Sequence, residues 1–263
     1  MSQCRIMDTN FVFDSATTLT ASSASGEFPV SNLKKYHRYN AWRTTGVTSE
    51  TLVIDLQTAE SIDAFAMVFD PNEGIKFTSS ATIKIQANAT NTWGSPAVDV
   101  TLSIDDDFSV ITYFWTTGQS YRYWRLSMAD ATNPYGYLEI PKIILSTSTQ
   151  LTQMPNVGFV QLVADSSKVV ETDYGHRYAD NYPTLRTLEL EYIEIPEADK
   201  LTLSAIYRRL GKVTPLAISL DPLQAHFSNK DEHFLYGYIS NDLEISQVFT
   251  TYFDVKLGVV EAL

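Results

Sequence analysis

Residues 81–87 read Ala81-Thr82-Ile83-Lys84-Ile85-Gln86-Ala87, with Ile83, Ile85 and Ala87 alternating against Lys84 and Gln86. A period of two is what a strand with one buried and one wet face requires. The same pattern recurs in Leu52, Ile54 and Leu56 against Val53 and Asp55, and in Leu188, Leu190 and Tyr192 against Glu189 and Glu191. Near the C-terminus Phe253, Val255, Leu257 and Val259 alternate with Asp254, Lys256 and Gly258. Polar, Gly, Pro and Asn clusters punctuate the runs, so the chain is expected to be mainly antiparallel β.

One segment has a different period. From Pro196 to Leu210, Leu203, Ile206, Tyr207 and Leu210 fall at i, i+3, i+4 and i+7, one face of a helix. Pro196 suits the first helical position, while Glu197 and Asp199 complement the positive dipole end. Arg208 and Arg209 lie in the last turn, Gly211 supplies the cap and Pro215 prevents resumption. The spacing predicts a helix over about 197–210.

The 263 residues carry 19 Lys+Arg against 31 Asp+Glu, a net charge of −12, and 12% aromatics. Surfaces that hold nucleic acid or anionic membranes need clustered cations, so neither partner is expected. A single cysteine, Cys4, excludes an intrachain disulfide framework and a multi-cysteine zinc site. The start Met1-Ser2-Gln3-Cys4 lacks a signal-peptide pattern and no run approaches about 18 apolar residues, so a soluble, unprocessed chain is expected. The polar stretch Ser146 to Gln150, leading to Met154-Pro155-Asn156, reads as a structure-poor connector. It divides the chain into expected domains 1–150 and 151–263.

Within the first part, landmarks follow in order: Ala21-Ser22-Ser23, Phe28-Pro29-Val30-Ser31-Asn32-Leu33, Ala41-Trp42-Arg43, Leu52 to Leu56 and Ser61-Ile62-Asp63-Ala64. Then come Ala81 to Ala87, Trp93, Tyr121-Arg122-Tyr123-Trp124-Arg125-Leu126 and Leu138-Glu139-Ile140-Pro141-Lys142-Ile143. This succession resembles the discoidin (coagulation factor 5/8 type C) group of galactose-binding-like domains over about residues 10–147. The resemblance implies a jelly-roll β-sandwich, anchored by the Asn-Leu turn and Trp42, with variable loops at one end available for ligands. Lys34 and Lys35 stand where that group often has an acidic residue, which argues against a calcium site at this turn.

The second part combines strands, the single helix, and the aromatic runs Phe234-Leu235-Tyr236-Gly237-Tyr238-Ile239 and Tyr252-Phe253-Asp254-Val255. It resembles modules of tail-tip and baseplate proteins of tailed bacteriophages, which implies a small β-barrel or sandwich carrying one helix. The two resemblances together imply a non-enzymatic structural component of a phage tail tip or baseplate, assembled in the host cytoplasm and placed in the virion. Its expected partners are other tail proteins and copies of itself, with host glycan as a further ligand. The alternative is a carbohydrate-binding module for attachment to host-surface glycans.

Sugars are held by aromatic faces and planar polar side chains. Tyr36, His37, Arg38 and Tyr39, with Trp93, Tyr121 and Tyr135, fall in segments that read as loops and form the candidate ligand set, for glycan or protein. The bland alternative is that the large aromatics, Trp42 and Trp124 among them, fill the sandwich. No catalytic residues, cofactor or metal are expected. His226 and His233 flank a polar loop at a spacing unsuited to zinc. Asp105-Asp106-Asp107 reads as a hairpin tip, because a calcium loop spaces its ligands at alternate positions. No Gly-x-Ser-x-Gly elbow or phosphate-cradling loop is present.

Overall fold

The computed structural model describes residues 4–70, 75–104, 109–155, 160–165, 167–171, 173–180, 182–222 and 233–262. They form two compact units. The first comprises the described residues of Met1–Gln150 and Leu216–Phe234, the second those of Leu151–Pro215 and Leu235–Ala262. The chain is mainly β, as the alternation requires.

The first ten strands are β1 (Arg5–Met7), β2 (Thr18–Ala21), β3 (Trp42–Arg43), β4 (Glu50–Val68), β5 (Thr82–Asn88), β6 (Val98–Thr101), β7 (Val110–Ala129), β8 (Glu139–Ile140), β9 (Lys142–Ser146) and β10 (Thr149–Gln150). β4 and β7 are long antiparallel partners that contribute to both layers of a sandwich. Their first arm, Glu50–Asp55 against Tyr123–Met128, carries β2 on one side and β5 then β6 on the other. The register shifts between Asp55 and Glu60 and again between Ile62 and Ala64, with Gln57 at φ 68°. Such bulges bend a ribbon. Beyond them Ala64–Val68 pairs with both Val110–Phe114 and β9.

The alternation expected for Leu52–Leu56 and Ile83–Ala87 is what the core uses. Leu52, Ile54, Ile83, Ile85, Trp124 and Leu126 from the first arm face Phe65, Met67, Ile143 and Leu145, all fully buried. Trp42 and Leu33 close the edge of the same cluster. Every side chain of β9 is buried, as befits a strand covered on both faces. Asn10 tethers it, donating Nδ2 to the Ile143 carbonyl at 2.8 Å, and from β1 Arg5 donates to the Asp63 and Trp115 carbonyls of β4 and β7, both at 3.2 Å. The expected structure-poor connector is therefore partly strand, since Thr149 and Gln150 pair with β1 and Asp63 accepts from the Ser148 amide at 2.6 Å.

The next strands are β11 (Val160–Asp165), β12 (Lys168–Glu171), β13 (Arg177–Asp180) and β14 (Thr184–Pro196), followed by α1 (Glu197–Leu210). β15 (Leu216–Ser219) returns to the first unit and pairs with β1. β16 (Phe234–Ile239), β17 (Glu244–Phe249) and β18 (Tyr252–Glu261) complete the second unit, where β18 lies between β14 on one side and β16 and β17 on the other.

The helix spans the expected residues, buries Leu203, Ile206 and Leu210, and ends at Gly211 with φ 54°. Two details differ from expectation. Pro196 is the extended residue before the helix and the last of β14, so it caps instead of starting the turn. Tyr207 lies at the edge of the apolar face, its hydroxyl donating to Asp242 at 3.1 Å.

Candidate functional site

The folded ribbon brings several strand ends of the first unit together. Glu50 pairs with Met128, Thr82 with Ala129, and Val68 with both Val110 and Lys142. The connections 44–49 and 130–138 and the described residues of 69–81 thus meet at one end of the sandwich. Asp130 fastens them: its amide donates to the Val47 carbonyl at 2.6 Å, and its carboxylate accepts from the Thr78 amide at 2.8 Å and Asn133 Nδ2 at 2.9 Å. Burial alone would raise the Asp130 pKa, but the bonds from Thr78, Asn133 and Thr132 prevail and hold it below the usual carboxylate range.

The 130–138 connection carries two tyrosines outward. The Tyr135 amide donates to Asn133 Oδ1 at 3.0 Å, and Gly136 turns the chain at φ 72°, a left-handed conformation that glycine adopts without strain. The rings of Tyr135 and Tyr137 lie 6.1 Å apart, and Tyr135 is 55% exposed. Leu138 then returns the chain to β8 by donating to Thr44 Oγ1 at 2.8 Å.

Beside these rings, Arg43 lies between Phe28, 3.8 Å from its ring centroid, and Tyr137, at 4.7 Å. β3–β8 pairing sets Arg43 opposite Glu139, and the two side chains form an ion pair. Lys76 Nζ reaches the other oxygen of Glu139 at 2.8 Å, while Asn133 holds the Lys76 carbonyl at 2.8 Å. The result is a pair of tyrosine rings tilted by 38° to each other, beside a guanidinium and an ammonium that are both held by the buried Glu139 carboxylate. Of the expected ligand set only Tyr135 belongs here. Phe28, Arg43 and Glu139 stand in stretches that serve as fold landmarks, and Lys76 and Tyr137 carry no sequence signal that sets them apart from core or surface residues.

The other expected residues are distributed over the first unit. Arg38 is buried and donates to the Phe69 carbonyl at 3.2 Å, so it holds its loop from inside. Tyr36 packs edge-on against Phe13 at 5.1 Å. His37 and Tyr39 stack at 5.3 Å, with Tyr39 72% exposed. Antiparallel β3–β8 pairing carries Tyr39 away from Tyr137, because the chain before Trp42 runs toward Lys142. Trp93 follows the far end of β5, where Arg125 covers its ring at 4.6 Å and Asn91 accepts from Nε1 at 2.8 Å. Burial lowers the Arg125 pKa, opposed by Asp99. Tyr121 is not in a loop: it lies within β7, opposite Glu60 at the bend. Trp42 and Trp124 are fully buried core residues.

Asp105, Asp106, Asp107 and His226 lie outside the described residues. Among the described residues no group of three or more His, Cys, Asp or Glu is placed to hold a metal ion, and no helix is long and apolar enough to cross a membrane.

No family model matches the chain, and no curated protein does. Several solved structures are similar to it. The family 32 carbohydrate-binding module of Clostridium perfringens NanJ, solved with galactose, shares 15% identity over 55% of this chain and 99% of its own, at a TM-score of 0.43. The lectin domain of lectinolysin, solved with Lewis b antigen, shares 10% identity over 54% of this chain and 98% of its own, at 0.44. Chitosan-binding module 1 of a Paenibacillus sp. IK-5 chitosanase/glucanase shares 19% identity over 53% and 99%, at 0.41. Each of these matches covers about half of this chain.

Proposed function

We propose that the first unit binds carbohydrate on the surface formed by Tyr135, Tyr137, Arg43, Glu139 and Lys76. The observation that carries this reading is the Arg43 guanidinium clamped between Phe28 and Tyr137 and paired to Glu139. A sugar ring presents an apolar C–H face and equatorial hydroxyls. The tyrosine faces take the first. Arg43 and Lys76, already oriented by Glu139, donate to the second, and charge-assisted hydrogen bonds are the stronger kind. Prior fixation by Asp130 and Asn133 reduces the ordering cost of binding. No catalytic step is assigned to the site. A glycan array probed with the full chain tests the reading. Binding is expected to one class of glycan and to disappear in Tyr135→Ala/Tyr137→Ala; an array without signal, or a double variant that binds normally, overturns it.

A second reading concerns the second unit. We infer that it builds a multi-copy structural assembly, such as a tailed-phage tail tip or baseplate in the virion, against copies of itself and other tail proteins. Its support is exposed apolar side chains on strands: Val160, Leu162 and Val163 on β11, and Ile245, Val248 and Phe249 on β17, each at least 40% exposed. Such surface is a liability unless covered. Mass spectrometry of purified virions tests the tail assignment, and absence of the chain from them retires it.

A further inference from the structure

We propose that the β12–β13 hairpin pairs with the hairpin of a second copy, head to tail, so that β13 of one chain hydrogen-bonds to β12 of the next. The inference rests on the multi-copy reading of the second unit and specifies its contact. All eight residues of the two strands are exposed. The hairpin forms a sheet of two strands, and among the described residues neither outer edge is paired. Val170 is 62% exposed, Tyr178 65% and, at the turn, Tyr174 92%. A two-stranded hairpin packed on nothing is marginal in water, and an unpaired apolar edge is a template for another strand.

The register decides what pairs with it. Within the hairpin Lys168 stands opposite Asp180, Val169 opposite Ala179, Val170 opposite Tyr178 and Glu171 opposite Arg177. Successive side chains point to opposite faces, so directly opposed residues must share a face. Symmetric pairing of β13 with its own copy would have to set Arg177 against Asp180 to match charges. Those positions face opposite sides of the strand, so a two-fold axis normal to the sheet cannot oppose them.

Head-to-tail pairing has no such conflict. β13 of one copy meets β12 of the next in the register the hairpin already uses. Lys168 of the second copy then faces Asp180, its Glu171 faces Arg177, and its Val170 covers Tyr178. Like charges are nowhere opposed, and cross-strand ion and aromatic–β-branched pairs each favour the contact. A heterologous contact of this kind generates a closed ring or an open filament.

Mixed crosslinking of the full chain tests this. Val170→Cys and Tyr178→Cys are made as separate single variants and oxidised mildly, alone and mixed, while light scattering reports the mass of the unmodified protein. The expected result is an oligomer, with a disulfide-linked dimer in the mixture well above either variant alone or the wild type, whose Cys4 is buried. A dimer formed equally by one variant alone overturns the head-to-tail register. An oligomer without crosslink in the mixture overturns the hairpin contact and leaves the multi-copy reading standing. A monomer at all accessible concentrations overturns both.

Discussion

Lys142 Nζ donates to the carbonyl oxygen of Asn40 at 3.2 Å, and at the same distance to that of Asn32, closing the loop that carries Tyr36 to Tyr39. The side chain is fully buried, and among the described residues no carboxylate pairs with it. Burial, with a smaller contribution from Lys35, lowers its pKa from 10.5 to about 7. Because the folded pKa lies below the unfolded one, the unfolded chain retains a proton between these values that the folded chain has lost. Stability from this group therefore rises with pH from about 7 to about 10.5, and below pH 7 the cost of burying the charge is present in full. The whole effect is on the order of a few kcal/mol. Lys142→Met removes the dependence but takes a donor from the Asn40 carbonyl, at a cost of about 1–3 kcal/mol, while the Asn32 carbonyl keeps the Lys35 amide at 3.0 Å. Denaturant titrations at several pH values are expected to show wild type gaining on the variant as pH rises. Parallel curves would refute the account.

Two aromatic surfaces of the first unit make opposite predictions on glycans. Tyr135→Ala is expected to weaken sugar binding about tenfold, roughly 1.4 kcal/mol, with unchanged thermal stability, because the ring is mostly exposed. Tyr36→Ala is expected to leave binding unchanged, its ring being engaged with Phe13. Calorimetric titration with the glycan identified on an array distinguishes them; equal losses in both would move the site toward the 36–39 loop.

Arg43→Lys tests how the surface is held. Lysine keeps the charge but loses the planar group that stacks on both rings and meets Glu139 along one edge. The change is expected to cost about 1–2 kcal/mol, read as a fall of a few degrees in the first unit's melting temperature, with sugar affinity reduced as well. Full affinity in the lysine variant would show that the guanidinium's shape is immaterial.

The strands and the helix were legible because each has one buried and one wet face, so periodicity records them: Leu52, Ile54 and Leu56 point inward as their spacing requires, and so do Leu203, Ile206 and Leu210. β9 shows the limit of that signal. Buried on both faces, Lys142-Ile143-Ile144-Leu145 has no alternation, and its lysine is inside. The candidate surface was less legible because it is assembled by pairing. Arg43 and Glu139 lie 96 positions apart, and only the β3–β8 register opposes them. Arg38 and Tyr39 are neighbours in sequence, yet one is buried and the other 72% exposed. A run of aromatic and basic residues does not say which of them points out.

Gly237 offers a stringent test of the second unit. A Cβ built there would lie 2.0 Å from the Val260 carbonyl oxygen on the paired strand β18. Backbone cannot yield as a flexible side chain does, so Gly237→Ala must separate β16 from β18. Loss of several ladder bonds is expected, at a cost of about 3 kcal/mol or more. Hydrogen exchange is expected to speed up at β16 and β18 while the first unit's Ile83–Ala87 remains protected. Unchanged protection at β16 would contradict the pairing.

Arg186 and Glu261 fix the register of β14 against β18. The Glu261 side chain is 1% exposed and accepts from the Arg186 amide at 3.1 Å, from Nε at 3.1 Å and from Nη2 at 2.7 Å. Three donors from one residue offset the cost of burying the carboxylate. Removing one charge leaves the other buried without its partner, which typically costs about 3–5 kcal/mol, whereas replacing both with apolar residues of similar size is often neutral. Glu261→Gln is therefore expected to destabilise the second unit more than the double change Arg186→Met/Glu261→Leu. A double-mutant cycle by chemical denaturation measures the coupling, expected to exceed about 2 kcal/mol. Additive single effects would mean that the ion pair is not what holds the register, and that Leu188, Leu190 and Tyr192 against Val255, Leu257 and Val259 suffice.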